Sequence, residues 1–200
     1  MALTDIESLN RDIVFNARLR GHDLTFHSTW GLFSPRRIDD GSRMLTEKVE
    51  LQVDQVTLDL GCGYGAIGVA IAKDCPLGKV HMVDKDFVAV EYARENAALN
   101  RLGNCEIYLS NAFSKVPDIR FDNIVSNIPA NVGAEMLAII LHGAKAHLAA
   151  GGRLYVVTVA GLRQYIKRNF MEVFGNYRKL KQGKTYTVAL AVKHQASRQS

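Results

Sequence analysis

Three stretches of this 200-residue sequence carry residue types and spacings that could do chemistry. The first is Val56 to Gly68, VTLDLGCGYGAIG, where an apolar run holding Asp59 ends in three alternate glycines, Gly61, Gly63 and Gly65. Glycine lets a backbone turn sharply and come close to a ligand. The run IGVAIAK that follows is helical in pattern, so strand, glycine turn and helix succeed one another as in the first crossover of a nucleotide-binding α/β sheet. The second stretch is KVHMVDKD, which puts Asp84 at the end of the next strand. A carboxylate there can accept hydrogen bonds from ribose hydroxyls. The third is FDNIVSNIPA, residues 121–130, with Asn127 at the C-terminal end of a later strand, where open α/β sheets place ligands. Its side-chain carbonyl is a neutral acceptor suited to an NH₂ donor; the plainer alternative is that Asn127 caps the next helix, a role Asn suits.

The first two stretches specify an adenosine-containing cofactor and leave its identity open. Gly61, Gly63 and Gly65 fit the pattern common in S-adenosylmethionine (SAM) enzymes, while Gly63, Gly65 and Gly68 also spell the dinucleotide fingerprint G-x-G-x-x-G. Cys62, inside the loop, reads as a small residue that fits there. Cys62, Cys75 and Cys105 show no metal-ligand spacing, and neither do His27, His81, His142 and His147, so no metal is expected.

The elements that must hold these residues can be read from periodicity. Ile13–Leu19 and Leu24–Ser28 alternate around Gly21-His22-Asp23 and predict a β-hairpin. A helix over about 42–51 follows a Gly- and Pro-punctuated loop. The core then alternates strands at 56–60, 80–83, 105–109, 121–126 and 153–159 with helices at about 66–73, 87–100, 133–148 and 162–174. Gly103 is placed to stop the 87–100 helix, and segments 177–181 and 186–192 close the chain as a hairpin around Gly183. The predicted fold is a Rossmann-like, seven-stranded, mainly parallel sheet with a C-terminal antiparallel hairpin and a small N-terminal hairpin-and-helix cap. Residues 1–50 are expected to form the cap, 51–193 the core and 194–200 a disordered tail.

Charge adds a partner surface. The net charge is +5, yet residues 151–200 hold ten basic groups against one acid, Glu172. Such asymmetry predicts a basic face toward a polyanion such as RNA, with Arg163, Lys167 and Arg168 on the last helix and Arg36 and Arg37 near the site mouth. No apolar run approaches the ~20 residues that span a bilayer. Three scattered cysteines and a polar N-terminus suit a reducing cytoplasm.

On these residues the chain resembles class I SAM-dependent methyltransferases that modify exocyclic amines, and more closely the small-ribosomal-subunit type of rRNA guanine-N2 methyltransferase domain, in a single-copy form. The likeness covers about residues 12–192: the hairpin, Gly31-Leu32-Phe33-Ser34, Asp40-Gly41-Ser42, LDLGCGYGAIG, Asp84 and the Asn-x-Pro turn. The closing hairpin also favours SAM over NAD. The resemblance implies that Asp59 and the loop Gly61, Cys62, Gly63 and Gly65 hold the methionine end of SAM, that Asp84, followed by Lys85, receives the ribose, and that Asn111, Ala112 and Phe113 lie near the adenine. Asn127, Ile128 and Pro129 then form the catalytic turn, accepting hydrogen bonds from the target NH₂ through the Asn127 side chain and the carbonyl of residue 128. Family members read Asn-Pro-Pro-aromatic here, so Ile128 and Ala130 depart from the pattern. Ile128 adds an N–H that needs a partner if buried, Ala130 offers no stacking surface for a flipped base, and Ile128→Pro is expected to be tolerated. Trp30 and Phe33 pack over the cofactor or inside the cap. The altered turn keeps two alternatives in view: a methyltransferase acting on a small molecule or protein, and a non-catalytic RNA-binding relative.

Overall fold

A computed structural model describes residues 11–194. The expected tail lies outside the described residues except for His194. The hairpin forms as β1 (Ile13–Leu19) and β2 (His22–Ser28), an antiparallel pair standing apart from the main sheet. Its two-residue turn is Arg20-Gly21, both at positive φ (50° and 84°), the backbone that matches strand twist in tight hairpins. The Arg20 side chain is itself an anchor. Its guanidinium pairs with Asp74 and donates to the carbonyls of Thr46 and Val49, the latter at 3.0 Å. Helix α1 (Asp40–Thr46) therefore ends sooner than the apolar spacing predicted, its terminal carbonyl being taken by an arginine from another element.

The main sheet contains β3 (Val56–Leu60), β4 (Lys79–Asp84), β5 (Cys105–Leu109), β6 (Phe121–Asn127), β7 (Leu148–Val159), β8 (Arg178–Gln182) and β9 (Tyr186–Val192). Their order is β5-β4-β3-β6-β7-β9-β8. The strands from β3 to β7 pair in parallel, and β9 and β8 add antiparallel. Helices α2 (Ala66–Asp74), α3 (Phe87–Leu99), α4 (Ala134–His147) and α5 (Arg163–Phe174) cross between strands. The sequence reading of class and topology holds. β7 begins five residues before the predicted 153, because Phe121 pairs with Leu148 and Asn123 with Arg153, leaving 149–152 as a bulge turned at Gly151 (φ 79°). The chain turns out of α3 at Arg101 (φ 57°), just past the C-cap Asn100, rather than at Gly103. Leu102 N–H reaches the Ala97 carbonyl and Arg101 N–H the Ala98 carbonyl, the paired bonds of a Schellman cap.

Alternating side chains of the parallel strands fill two cores, one on each sheet face. Met82, Val125, Tyr155 and Val157 join the cluster built with the hairpin, α1, α2 and α3. Leu58, Leu60, Val83, Ile124 and Val156 join the other, under α4 and α5. The hairpin thus shares its core with the β3–α2–β4 crossover. Phe15, Phe26 and Tyr64 meet there ring to ring. Asn96 on α3 and Asn100 at its C-cap, one turn apart, bond the backbone of His27 and Thr25 as a neighbouring strand would.

Candidate active site

The sheet order reverses between β3 and β6, with β4 and β5 to one side and β7 to the other. Such a switch point opens a crevice at the carboxyl ends of the strands. Four of those ends carry the residues singled out from sequence.

At the end of β3 the loop turns through Gly61, Gly63 and Gly65, all at positive φ (75°, 54° and 90°), a region costly for side chains. The Gly61 and Cys62 N–H groups donate to the Val83 carbonyl, tying the loop to β4. No atom lies within 4 Å of a Cβ built at Gly61 or Gly63, so that side of the loop is open to a ligand. Gly68 is the opposite case, since a Cβ there would fall 2.4 Å from Met82 and lets α2 settle tightly on the sheet.

Asp84 holds the loop from β4. Its carboxylate accepts from Gly63 N–H at 2.9 Å and Asp86 N–H at 3.0 Å, while the side chain stays partly open. One bond at each oxygen leaves further acceptor capacity. Lys85 beside it is exposed. Asp59 behaves differently. It is 0% exposed, and one oxygen accepts from Gly68 N–H at 2.8 Å while Oδ1 has no partner among the described residues. Burial, with the Asp84 charge adding, pushes its carboxyl up to about 7 against the opposing Gly68 bond. Asp59 therefore fastens the first turn of α2, just past the loop, to β3. Cys62 is buried, and burial together with Asp59 and Asp84 pushes its thiol well up, which disfavours the thiolate.

Beyond β5, Ser110 Oγ donates to the Ala112 carbonyl and accepts from Lys115 N–H, holding Ala112 at φ 48°. Asn111 is exposed at this strand end. Phe113 points elsewhere: its ring stacks on His147 at 4.8 Å and lies where a Cβ of Gly143 would be, locking the loop to α4.

The end of β6 is assembled with the cap. Asn127 Nδ2 donates to Ser42 Oγ at 3.0 Å and faces both Asp39 oxygens at 3.3 and 3.4 Å. Asp39 also caps α1, accepting from Gly41 and Ser42 N–H. Asn127 caps no helix, because α4 starts after Gly133. The added N–H of Ile128 is satisfied by the Val157 carbonyl at 3.0 Å, and the Ile128 side chain is 2% exposed in the α4–α5 core. The expected tolerance of Ile128→Pro is thereby corrected, since proline would remove both a paired donor and a buried side chain. Asp39 was not singled out in the sequence. Its signal was there: an Asp immediately before a helical run is an N-cap pattern.

Around the mouth, Trp30 and Phe33 are 41% and 65% exposed, and the Arg36 guanidinium lies 4.4 Å from the Trp30 ring. Tyr64, in the glycine loop, donates to the Ser34 and Arg37 carbonyls, docking this segment on the loop. Among the described residues one group, Asp12, His27 and Glu95, brings metal-capable atoms within 4.8 Å. It lies where the hairpin meets α3, with His27 paired to Glu95 at 2.5 Å and Tyr92 bonded to Asp12.

This sheet order, with a glycine loop and an acidic residue at adjacent strand ends and an antiparallel closing pair, defines the α/β methyltransferase class. Residues 23–190 match the methyltransferase small domain family, and the chain belongs to it. It is 40% identical over 142 residues to YbxB, an uncharacterized protein of Bacillus subtilis, spanning 70% of this chain and 71% of that one. It is 35% identical over 144 residues to the ribosomal RNA small subunit methyltransferase C of Haemophilus influenzae, spanning 70% of this chain and 43% of that one. Its fold matches a T. thermophilus 16S rRNA guanine-N2 methyltransferase, solved in complex with AdoMet and guanosine, with TM-score 0.83 and 28% identity over 92% of this chain and 51% of that chain. The chain thus spans about half the length of these two rRNA enzymes. No helix of the described residues is long and apolar enough to cross a membrane.

Proposed function

We propose that this chain transfers the methyl group of SAM to an exocyclic base amine in RNA, guanine N2 being the favoured target. The observation that carries the reading is the orientation of Asn127. Its amide nitrogen is engaged by Asp39 and Ser42, so its carbonyl is the end left to accept from an incoming NH₂ at the switch-point crevice. The guanosine-bound rRNA methyltransferase of the same fold supports a guanine acceptor.

The residues present fit SAM. Gly61 and Gly63 leave open space for a close backbone approach, and Asp84 keeps acceptor capacity for two ribose hydroxyls, with Lys85 beside it. Asn111 and Ala112 stand at the neighbouring strand end, where an adenine amine can be received, and Phe113 stiffens that loop through α4. Asp59 holds the start of α2 behind the loop through Gly68. The cofactor supplies a methyl group activated on a sulfonium. The protein's task is alignment: Asn127 and the carbonyl of Ile128, ahead of Pro129, hold the amine so that its nitrogen lone pair faces that methyl. Positioning supplies most of the rate in such a displacement, and no acid–base pair is required. Exposed Lys167, Arg168, Arg178, Lys179 and Lys181 surround the C-terminal helix and edge strand and suit a phosphate backbone. The three free cysteines accord with a cytoplasmic setting.

Labelled SAM incubated with total RNA and, separately, with protein extract tests the acceptor. Label is expected in RNA. Asn127→Ala is expected to lower that incorporation about 100-fold or more while leaving SAM affinity by calorimetry nearly unchanged. Full activity in Asn127→Ala, or label in protein alone, would refute the reading.

A further inference from the structure

We infer that Asp39 is the positioning residue that decides which end of the Asn127 amide faces the substrate, so that the cap, not only the sheet, builds the acceptor site. The inference rests on the proposed role of Asn127 and deepens it. An Asn side chain has a donor end and an acceptor end of almost equal size, and rotation by half a turn exchanges them. Only the acceptor end can receive an amine. Something must therefore forbid the other orientation.

The surroundings of Asn127 do this by chemistry rather than by shape. Asp39, as a carboxylate, offers only acceptors. Its oxygens lie 3.3 and 3.4 Å from Asn127 Nδ2, and Ser42 Oγ lies at 3.0 Å. Turning the amide would set its carbonyl oxygen against the carboxylate, two acceptors with no proton between them. Asp39 is in turn fixed by the Gly41 and Ser42 N–H groups at 2.9 and 3.1 Å. Gly41 completes the fixture: a Cβ there would fall 2.9 Å from Asp39 Oδ1 and from the Tyr186 ring, so only glycine lets α1 begin this close to β9. Asp39, Gly41 and Ser42 form one unit, 85 to 88 residues from the side chain they orient.

Asp39→Asn tests this with little disturbance, because an oxygen remains to cap α1. It removes the compulsory acceptor, and the two amides can pair in either sense. Incorporation of label from SAM into total RNA is expected to fall about 10-fold or more, with SAM affinity and melting temperature near those of the native chain. The exchange Asp39→Asn with Asn127→Asp restores a fixed pairing and keeps an oxygen toward the substrate, so it should recover part of the lost rate. Asp39→Asn with native turnover, beside an inactive Asn127→Ala, overturns the positioning role and leaves the proposed function standing. Equal loss of turnover and thermal stability, without recovery in the exchange, reduces Asp39 to a helix cap and also overturns it. A fully active Asn127→Ala removes the reading on which the inference rests. A measurement free of turnover guards the case in which no RNA is labelled: in ¹⁵N spectra the Asn127 NH₂ protons should exchange slowly in the native chain and faster in Asp39→Asn, and equal exchange in the two overturns the lock.

Discussion

The two halves of the crevice are built on different principles. The greater part of the proposed cofactor half, from Asp59 to Asp84, is one stretch of chain made chiefly of backbone: glycines at positive φ, N–H groups tied to Val83, and one carboxylate bonding the loop at Gly63. The acceptor half is made of side chains from distant segments, with Asn127 held by Asp39 and Ser42 and Ile128 sunk in the α4–α5 core. A backbone-built half tolerates change in most side chains and depends on a few glycines. The proposed acceptor half departs from the family pattern at Ile128 and Ala130, and on that reading it depends on the partners that hold Asn127.

That contrast can be broken at several points. The largest effect on folding is expected from Ile128→Pro. It leaves the Val157 carbonyl without its donor and empties part of the core, at a cost of about 3 kcal/mol or more, read as a fall in the midpoint of urea unfolding. A stable Ile128→Pro would show that the acceptor half is as backbone-determined as its neighbour. Asp84→Ala probes the other side. It should weaken SAM binding by about 1–3 kcal/mol, the cost of losing charge-assisted hydrogen bonds, and unchanged affinity in calorimetry would remove Asp84 from the ribose role.

Asp59 gives a pH signature peculiar to the cofactor half. Its carboxyl is pushed up to about 7 from an ordinary 3.8, chiefly by burial, so the folded chain holds this proton over a range in which the unfolded chain has lost it. Its contribution to stability is accordingly full below about pH 4 and is lost as pH rises through about 7. Asp59→Asn should flatten that part of the melting profile, and an unaltered slope would mean the carboxylate is ionised in place. The smallest effect belongs to the surface outside both halves. Arg163→Ala and Lys167→Ala should each reduce the slope of log RNA affinity against log salt by about one unit or less. Salt-independent binding would leave that face merely solvated.

Much of this site was legible because the information is local. Loop glycines announce themselves by type and spacing, a terminal acid such as Asp84 follows its strand, and Asn127 stands at the end of an apolar run. Two of the boundaries that moved did so through distant contacts. Arg20 ends α1 by taking the Thr46 carbonyl, and β7 starts early because Leu148 finds Phe121 across the sheet. The burial of Asp59 under its own loop, and the turn of Phe113 onto His147, likewise depend on elements that no spacing rule connects.

By itself the sequence determined the class of fold, the succession of its strands and helices and the glycine loop proposed for the cofactor, since periodicity and glycine placement act over a few residues. The tertiary structure alone decided which way the Asn127 amide faces. That depends on a carboxylate 88 residues away, brought beside it by the packing of α1 across β6, β7 and β9. Hydrogen-bond complementarity is a property of atoms in space, and only the folded chain puts those atoms together.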